Sequence, residues 1–294
     1  MIISGSDLFV SGVIVRDTTA DGINLHTGWN GVTVDSCSFR NTGDDAIALW
    51  SDHTADTNVT ISHNLVQLPN LANGIAFYGG HDNRAVDNVV ADIIASGGGI
   101  HVGNRFNAVA LAGTTTILRN TLSRCGCVDM NWKFGVGALW FYGLDSAVDP
   151  QGGDGIIIQD LNIVDSPQNA IGMIGKGVNN VHLRNIAING TKTFVLQVQS
   201  TASNWSFNNV TATNVGFANV YDCEEDMEAF TMDAATQSSW FPICTATADC
   251  KPSGENGTTA STCEGGEKKG SERVQVCAHC GFPPTGRSPA VVFV

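Results

Sequence analysis

The first part of the chain repeats itself at a fixed interval. Residues 16–23, Arg-Asp-Thr-Thr-Ala-Asp-Gly-Ile, align position for position with residues 40–47, Arg-Asn-Thr-Gly-Asp-Asp-Ala-Ile, at an offset of 24. A unit this short cannot bury an apolar face by itself, so successive units must stack on one another. The repeat therefore predicts a solenoid.

Asparagine marks a second column of the repeat. Each asparagine lies in a short alternating run, such as ISHNLVQ or AVDNVVA, with polar turns between the runs. Alternation with a period of two indicates strands, and no helical period separates them. We therefore predict a parallel β-helix rather than a propeller, whose blades need about 40 to 45 residues, or a leucine-rich horseshoe, which has its own Leu and Asn spacing. The column consists of Asn64, Asn88, Asn120, Asn185 and Asn209.

An isoleucine column predicts which side chains face inward. Ile23, Ile47, Ile75 and Ile100 should point into the solenoid, and their neighbours Asn24, Ala48, Ala76 and His101 should point out, because side chains alternate along a strand. We predict an all-β, right-handed parallel β-helix over residues 1–222, followed by a Cys-rich irregular segment over residues 223–294.

Nine cysteines are unevenly distributed. Their crowding in the last segment favours disulfides in an oxidising compartment over a zinc site at Cys277–Cys280, since no second close pair is present. Glycosylation sequons agree with a secreted protein, which we expect to be monomeric. The last-segment cysteines are Cys223, Cys244, Cys250, Cys263, Cys277 and Cys280, and the sequons begin at Asn58, Asn189, Asn204, Asn209 and Asn256.

The start of the chain has no signal-peptide pattern. Residues 1–5, Met-Ile-Ile-Ser-Gly, resemble the middle of a strand and lack a basic segment and a long apolar segment. We expect the sequence to be the C-terminal part of a longer protein or to lack its true start. The first strands would then present an exposed edge.

The charge excludes two classes of partner. The net charge is −13, whereas nucleic acids and anionic membrane surfaces require a basic footprint. No apolar stretch reaches the length of about 20 residues that a transmembrane helix needs. We expect no nucleic-acid partner and no membrane partner.

Two aspartates occupy equivalent positions in the repeat, and a third, next to one of them, has no acidic equivalent. Asp45 is the repeat equivalent of Asp21, and Asp44 is an additional carboxylate that follows Gly43. Stacked coils lie about 4.8 Å apart, where like charges destabilise unless they share a proton, a cation or a substrate. We expect Gly43 to bend the backbone so that Asp44 and Asp45 reach the same outer groove.

Clustered carboxylates are typical of inverting glycosidases. One protonated acid serves the leaving oxygen and one base activates water, usually across about 6.5 to 9.5 Å. Crowding raises the pKa of one member and so keeps a proton near neutral pH. The alternative is that Asp21 and Asp45 only cap turns, but Asp44 has no place in that explanation.

Five segments of the chain carry a resemblance to a known family. They are TADGINLH (19–26), RNTGDDAIALWS (40–51), ANGIAFYGGHDN (72–83), GGGIHVGNRF (97–106) and NWKFGVGALWF (131–141). Together they resemble glycoside hydrolase family 87, which contains α-1,3-glucanases and mycodextranases. The resemblance covers about residues 7–222, and the spaced aspartate motifs are its most specific part.

The resemblance implies a catalytic β-helix in which Asp21, Asp44 and Asp45 are catalytic. Similarity to related inverting β-helix enzymes implies Asp44 as general acid, with Asp21 and Asp45 holding the water. The Cys-rich tail matches no segment of the family.

A neutral α-glucan is the expected substrate. Arg40 is the one Lys or Arg between Asp21 and Asn83, so the groove cannot neutralise a polyanion such as pectate. Aromatic rings stack on sugar faces, and polar side chains bind hydroxyl groups. The candidates for stacking are Trp29, Trp50 and Tyr78, those for hydroxyl binding are Asp82 and His101, and Trp132 and Trp140, in an insertion between coils, are expected to wall the cleft.

Other functions stay open from sequence. A polysaccharide lyase or epimerase would need a basic residue beside the carboxylates, and a non-catalytic adhesin or carbohydrate-binding β-helix would need no aspartate triplet. His81 and His101 lack the HxH or HExxH spacing of a metal site, so we expect no catalytic metal and no cofactor, although calcium in the acidic loops is possible. The linkage, pure α-1,3 or alternating α-1,3/α-1,4, is not encoded in these motifs.

Overall fold

A computed structural model of the chain describes residues 4–129, 134–222, 227–240 and 243–245. Within these ranges one sheet contains nine strands, and each strand pairs in parallel with the strand of the next coil. One strand per coil, in chain order, is the arrangement of a parallel β-helix, which confirms the predicted fold. The nine strands are Ile23–His26, Ile47–Trp50, Ile75–Tyr78, Ile100–Asn104, Leu139–Gly143, Ile171–Gly175, Phe194–Gln199, Ala218–Asp222 and Ile243–Thr245.

The remaining faces of the described coils form a second sheet of 16 strands. Two stacks of parallel strands meet where the long strands Val178–Thr191 and Ala202–Val215 continue across both. One stack contains Phe9–Ser11, Thr33–Asp35, Thr60–Ser62, Arg84–Val86, Leu111–Leu118, Gln151–Gln159 and Phe230–Met232. The other contains Ile14–Arg16, Ser38–Arg40, Leu65–Gln67, Val89–Ile93, Thr121–Cys125 and Asn162–Ser166.

Short elements complete the description. Gly5–Ser6 pairs with Trp29–Asn30, and Gly80–His81 pairs with Leu111–Leu118. Cys127–Asp129 and Phe134–Val136 form an antiparallel hairpin that enlarges one coil. A 3-10 turn covers Met227–Ala229, and an α-helix covers Ala234–Ser239.

The isoleucine column aligns as predicted. Ile23 pairs with Ile47, Ile47 with Ile75, and Ile75 with Ile100. The last three are fully buried in one continuous apolar core. Their neighbours on the outer side are not all exposed, since Ala48 and Ala76 pack under Trp50 and Tyr78. A second, outer apolar layer therefore covers part of the nine-stranded sheet.

Three asparagines form a buried ladder inside the solenoid. Asn88 Oδ1 accepts hydrogen bonds from the backbone N–H and the side-chain amide of Asn64, both at 3.0 Å. Asn120 Oδ1 accepts the same pair from Asn88, both at 2.9 Å. Each coil in this region thus satisfies the polar groups of the previous coil at a turn that has no access to water.

Asn185 and Asn209 do not belong to this ladder, so the predicted column was wrong at these two members. Strand pairing aligns Thr121 with Asn162 and Asn162 with Ala187, which places Ile186 rather than Asn185 in the column of Asn120. Asn185 and Asn209 have φ angles of 54°. Asparagine is favoured there because it tolerates the left-handed conformation, which is a different reason from ladder formation.

The ends of the solenoid differ from each other. In the first described strands, Phe9 is 67% and Ile14 66% exposed, and the expected open edge stays a prediction. At the other end, Phe230–Met232 pairs with Ala202–Val215, and Trp240 is buried in the core. Packing therefore continues beyond residue 222, where we had placed the boundary.

The predicted disulfides and the zinc alternative of the tail fall on residues that are not described. Cys37, Cys125 and Cys127 are buried free thiols. In the described part of the chain, no helix has the length and apolar character needed to span a membrane.

We predict that the Asn88→Ala variant lowers the free energy of unfolding by about 2–4 kcal/mol, because it leaves buried donors and acceptors of two neighbouring coils without partners. Asn162→Ala, at an exposed strand position, is the matched control. Urea denaturation of both variants measures the difference. Equal losses would show that the ladder adds no stability.

Candidate active site

A cavity of about 310 Å³ lies on the outer side of the nine-stranded sheet. Its acidic lining consists of Asp21, Asp44, Asp45 and Asp129, and its aromatic lining of Trp50, Tyr78, Phe106 and Trp140. Asn24, Asn73, Ser96 and Arg105 add polar and basic groups. Carboxylates beside aromatic rings are suited to a polyhydroxylated ligand, since the rings pack on apolar ring faces and the carboxylates accept hydroxyl protons.

The register of the sheet brings the three predicted aspartates together. Asp21 and Asp45 both precede the paired residues Ile23 and Ile47 by two positions, so they stack on successive coils. One carboxylate oxygen of each of Asp21, Asp44 and Asp45 lies within 4.8 Å of the others. This gap is shorter than the expected spacing of about 6.5 to 9.5 Å for an acid and a base on opposite sides of a sugar.

Gly43 acts by its size rather than by its conformational freedom. Its φ is outside the left-handed region, contrary to the expected bend. A Cβ atom at Gly43 would lie 2.4 Å from the Thr19 carbonyl carbon. The N–H groups of Gly43 and Asp44 both donate to the Ala20 carbonyl oxygen, at 3.0 and 3.2 Å. Close approach of the two coils at Gly43 therefore sets the position of the adjacent carboxylates.

Asp45 is the most buried of the three. Its Oδ1 accepts from the Asn73 backbone N–H at 2.6 Å and from Asn73 Nδ2 at 2.8 Å, and its Oδ2 accepts from the Tyr78 hydroxyl at 2.8 Å. Burial raises the pKa of Asp45 to about 7, with further increases from the charges of Asp44 and Asp21, while the hydrogen bonds from Asn73 and Tyr78 oppose the increase. The cluster can therefore retain a proton near neutral pH.

Asp21 is less enclosed. Its Oδ2 accepts from Asn24 Nδ2 at 2.8 Å. Burial raises the pKa of Asp21, and the neighbouring charge of Asp44 adds to the increase. Asp44 Oδ1 accepts from the Asp45 backbone N–H at 3.0 Å. The charge of Asp44 thus acts on both Asp21 and Asp45, so the three carboxylates form one interacting cluster.

Two predicted sugar-binding aromatic residues line the cavity. Trp50 is half-buried, stacks on His26 at 4.4 Å between ring centroids, and donates from Nε1 to the Phe106 carbonyl oxygen at 3.0 Å. Tyr78 is only 6% exposed. Its hydroxyl donates to Asp45, so the structure gives Tyr78 a contact with the carboxylate group that the sequence did not predict.

Asp82 and His101 are not placed to bind hydroxyl groups in the cavity. Asp82 lies on the 16-stranded side, where its Oδ1 accepts from Thr114 N–H at 2.8 Å. His101 is fully buried, stacked on Trp140 at 4.0 Å. Desolvation holds the pKa of His101 well below its usual range, so the ring is neutral. The rings of Trp140 and Tyr78 pack against it.

The tryptophans that we expect to stack on a sugar or to wall the cleft differ in their positions. Trp29 belongs to the buried core and does not line the cavity. Trp140 does form part of the wall, as expected, but it lies in the regular strand Leu139–Gly143 rather than in an insertion. Trp132 is outside the described residues.

Sequence reasoning missed Arg105, Asp129 and Asn73. Arg105 is 2% exposed, with its guanidinium 4.0 Å from the centroid of the Phe106 ring. The Asp129 carboxylate accepts from the Ser96 hydroxyl at 2.5 Å. A basic group therefore lines the cavity, which weakens the argument against lyases that rested on its absence. The sequence did contain a signal for Asn73, because Asn73 lies two residues before Ile75, as Asp45 lies two residues before Ile47.

The three carboxylates are also close enough to hold a cation. Within the described ranges, Asp21, Asp44 and Asp45 are the one group of acidic, His or Cys side chains with atoms this close. Ca²⁺ takes about six to eight oxygen ligands, so it would need further ligands beside these side chains. The expected absence of a catalytic metal stays a prediction. Calcium elsewhere in the acidic loops stays a prediction.

Comparison with known proteins identifies the family of this chain. The family model of the α-1,3-glucanase catalytic domain D2 matches residues 3–240. The chain belongs to glycoside hydrolase family 87. The catalytic unit of the thermostable GH87 α-1,3-glucanase from Streptomyces thermodiastaticus strain HF3-3 is 37% identical, with a TM-score of 0.74 over 82% of this chain. No curated protein matches significantly.

More distant GH87 structures share the fold. A GH87 α-1,3-glucanase catalytic domain in complex with nigerose is 24% identical, with a TM-score of 0.62 over 77% of this chain and 44% of its own. Another, in complex with tetrasaccharides, is 22% identical, with a TM-score of 0.65 over 78% of this chain and 48% of its own. The chain spans 46% of the Streptomyces catalytic unit. This GH87 chain therefore corresponds to about half of each solved relative.

We predict that the stability of this GH87 chain depends on the ionisation of Asp45. The folded pKa is about 7 against 3.8 for a free carboxyl, so the folded state binds the proton more tightly. The stabilisation is complete below about pH 4 and is lost as the pH rises toward 7, by up to about 1.4 kcal/mol per pH unit. Asp45→Asn should remove the Asp45 contribution and so reduce this dependence, while the raised pKa of Asp21 leaves a smaller one of the same sign.

Unfolding measured between pH 4.5 and 8 tests the prediction. The difference in unfolding free energy between the wild type and Asp45→Asn should change steadily with pH, whereas exposed Asp154→Asn should follow the wild type. Parallel curves for the wild type and Asp45→Asn would contradict the assignment.

Proposed function

We propose that this GH87 chain hydrolyses α-1,3-glucosidic bonds of α-glucan with inversion at the anomeric carbon, using Asp21, Asp44 and Asp45. The observation that carries the proposal is the gathering of these three carboxylates in one cavity, with a buried member whose pKa is raised to about 7. Glycosidases need one protonated and one ionised carboxyl at the same pH, and such crowding produces both.

The hydrogen bonds favour Asp21 and Asp45 as the holders of the attacking water. Asp45 Oδ1 already accepts two bonds from Asn73, and Oδ2 accepts one from Tyr78, which leaves one acceptor site on Oδ2. Two oxygens that each accept an O–H···O bond of about 2.8 Å from one water are about 4.5 Å apart. The carboxylate oxygens lie within 4.8 Å of one another, which suits a shared water.

Asp44 is then the proton donor. It is less buried than Asp45 and reaches the cavity beside Asp21. In the proposed reaction Asp44 donates a proton to the glycosidic oxygen as the bond from that oxygen to the anomeric carbon breaks. Water attacks the anomeric carbon at the same time and gives its proton to the Asp21–Asp45 pair. General acid catalysis of this kind contributes about 10²–10⁴-fold.

The lining of the cavity supports a glucan substrate. Trp50 and Phe106 offer ring faces, and exposed Leu71 extends the apolar rim. The positive charge of Arg105 interacts electrostatically with Asp45 and Asp129, and the lining holds four carboxylates against this one basic group, so the cavity has no excess positive charge for a polyanion. A GH87 relative binds nigerose, which agrees with this choice. We propose that the protein acts as a secreted monomer on insoluble or nigeran-type glucan.

The decisive experiment is reducing-sugar release from α-1,3-glucan, nigeran, pectate and β-1,3-glucan. We expect release from α-1,3-glucan or nigeran and a decrease of about 10²–10⁴-fold in Asp44→Asn, because the leaving oxygen loses its proton donor. Exposed Asp154→Asn should retain full activity. Wild-type rates in Asp44→Asn would reject the proposed site, and binding without release would identify a non-catalytic glycan-binding β-helix.

The stereochemistry is a separate prediction. Because a water held by two carboxylates attacks directly, the first product should be the β-anomer. Proton NMR of the anomeric region during the first minutes of hydrolysis measures it. An initial α-anomer would indicate a covalent intermediate on one aspartate and a retaining mechanism.

A further inference from the structure

Asn73 occupies the position that extends the aspartate column. Ile75 pairs with Ile47, and Ile47 pairs with Ile23, so Asn73 stacks on Asp45 as Asp45 stacks on Asp21. Asn73 is 2% exposed. A third stacked carboxylate here would add repulsion, whereas an amide adds a hydrogen-bond donor. The column therefore changes from acid to amide at its contact with Asp45.

Two hydrogen bonds to its oxygen fix the orientation of the Asn73 amide. Its Oδ1 accepts from Gly98 N–H at 3.0 Å and from Trp140 Nε1–H at 2.8 Å. Rotating the amide by half a turn would set its NH₂ group against these two donors. Nδ2 therefore points toward Asp45, to which it donates at 2.8 Å.

Asp45 thus accepts hydrogen bonds from two residues and also interacts electrostatically with neighbouring ionisable groups. Asn73 supplies two donors and Tyr78 one, and they saturate Oδ1 and half-occupy Oδ2. The ionisable groups that act on Asp45 are Asp44, Asp21, Tyr78 and Arg105. Oδ2 has one acceptor site in addition to the site that the Tyr78 hydroxyl occupies.

We propose that Asn73 is a positioning residue for hydrolysis: its amide, locked by the Trp140 indole and the Gly98 backbone, orients Asp45 so that one oxygen is left to hold the attacking water. This inference rests on the proposed function, since it assigns the residue that acts through Asp45. Trp140 has a second role in it, because its N–H fixes the amide while its ring lines the cavity.

The first test is the pH profile of kcat in Asn73→Asp, a substitution that keeps the shape of the side chain. The introduced carboxylate cannot donate when it is ionised, so we expect kcat to fall about 10²-fold at pH 7, the scale of a misplaced catalytic group. At acidic pH the protonated carboxyl donates again, so the optimum should shift to lower pH. Trp140→Phe keeps a ring but removes the N–H that fixes the amide, and it introduces no carboxyl. A weaker Asn73–Asp45 bond raises the pKa of Asp45, so this variant should shift the profile in the opposite direction, to higher pH, and by less.

Asn169→Asp is the matched control. Asn169 lies at the equivalent position of another coil, fully buried, and donates to Gln197 rather than to an aspartate. Its substitution should alter stability without changing the pH optimum. A wild-type optimum in Asn73→Asp, or the same shift in Asn169→Asp, would overturn the proposal.

A double-mutant cycle decides the inference even if the wild type releases no sugar. Asn73→Ser should destabilise the wild type more than it destabilises Asp45→Asn, and this excess should be larger at pH 8, where Asp45 is ionised, than at pH 4.5. An excess that is absent or the same at both pH values would overturn the positioning role. Failure of sugar release together with a pH-dependent excess would reject the proposed function alone.

Discussion

The registered stacking of coils at strand spacing is the constraint on which the structure depends. Each residue faces its equivalent on the next coil at about 4.8 Å, so any side chain repeated in sequence is repeated in space. For Ile47 and Ile75 this builds a continuous core. For Asp21 and Asp45 it brings two carboxylates close enough to repel each other.

The same constraint explains how the protein tolerates that repulsion. The column ends in Asn73, whose backbone and side-chain N–H groups both donate to Asp45, and Tyr78 adds a third donor. These bonds favour the ionised carboxyl, while burial and the neighbouring carboxylates favour the protonated one. The balance lies near neutral pH, where a site can both hold a proton and accept one.

Much of the fold could be predicted because the core depends on local alternation and on the repeat alone. The isoleucine column and the meeting of Asp21, Asp44 and Asp45 followed from position in the repeat. The asparagine column was predicted only in part. Asn120 belongs to the buried hydrogen-bond ladder, whereas Asn185, one position out of that register, adopts a left-handed backbone conformation. A match of residue type cannot distinguish a buried ladder from a left-handed turn, and coils of unequal length hide the register.

The coil, its inward face and the outward position of the carboxylates can be read from the repeat, because they depend on periods of two and on a unit length that repeats. Which outward side chains are covered depends on how distant parts of the chain pack. Phe106 and the strand that contains Trp140 come from later coils, and with them His101 and Tyr78 are buried while Arg105 enters the cavity. Such coverage depends on contacts between coils of irregular length, and a repeat encodes only contacts between equivalent positions.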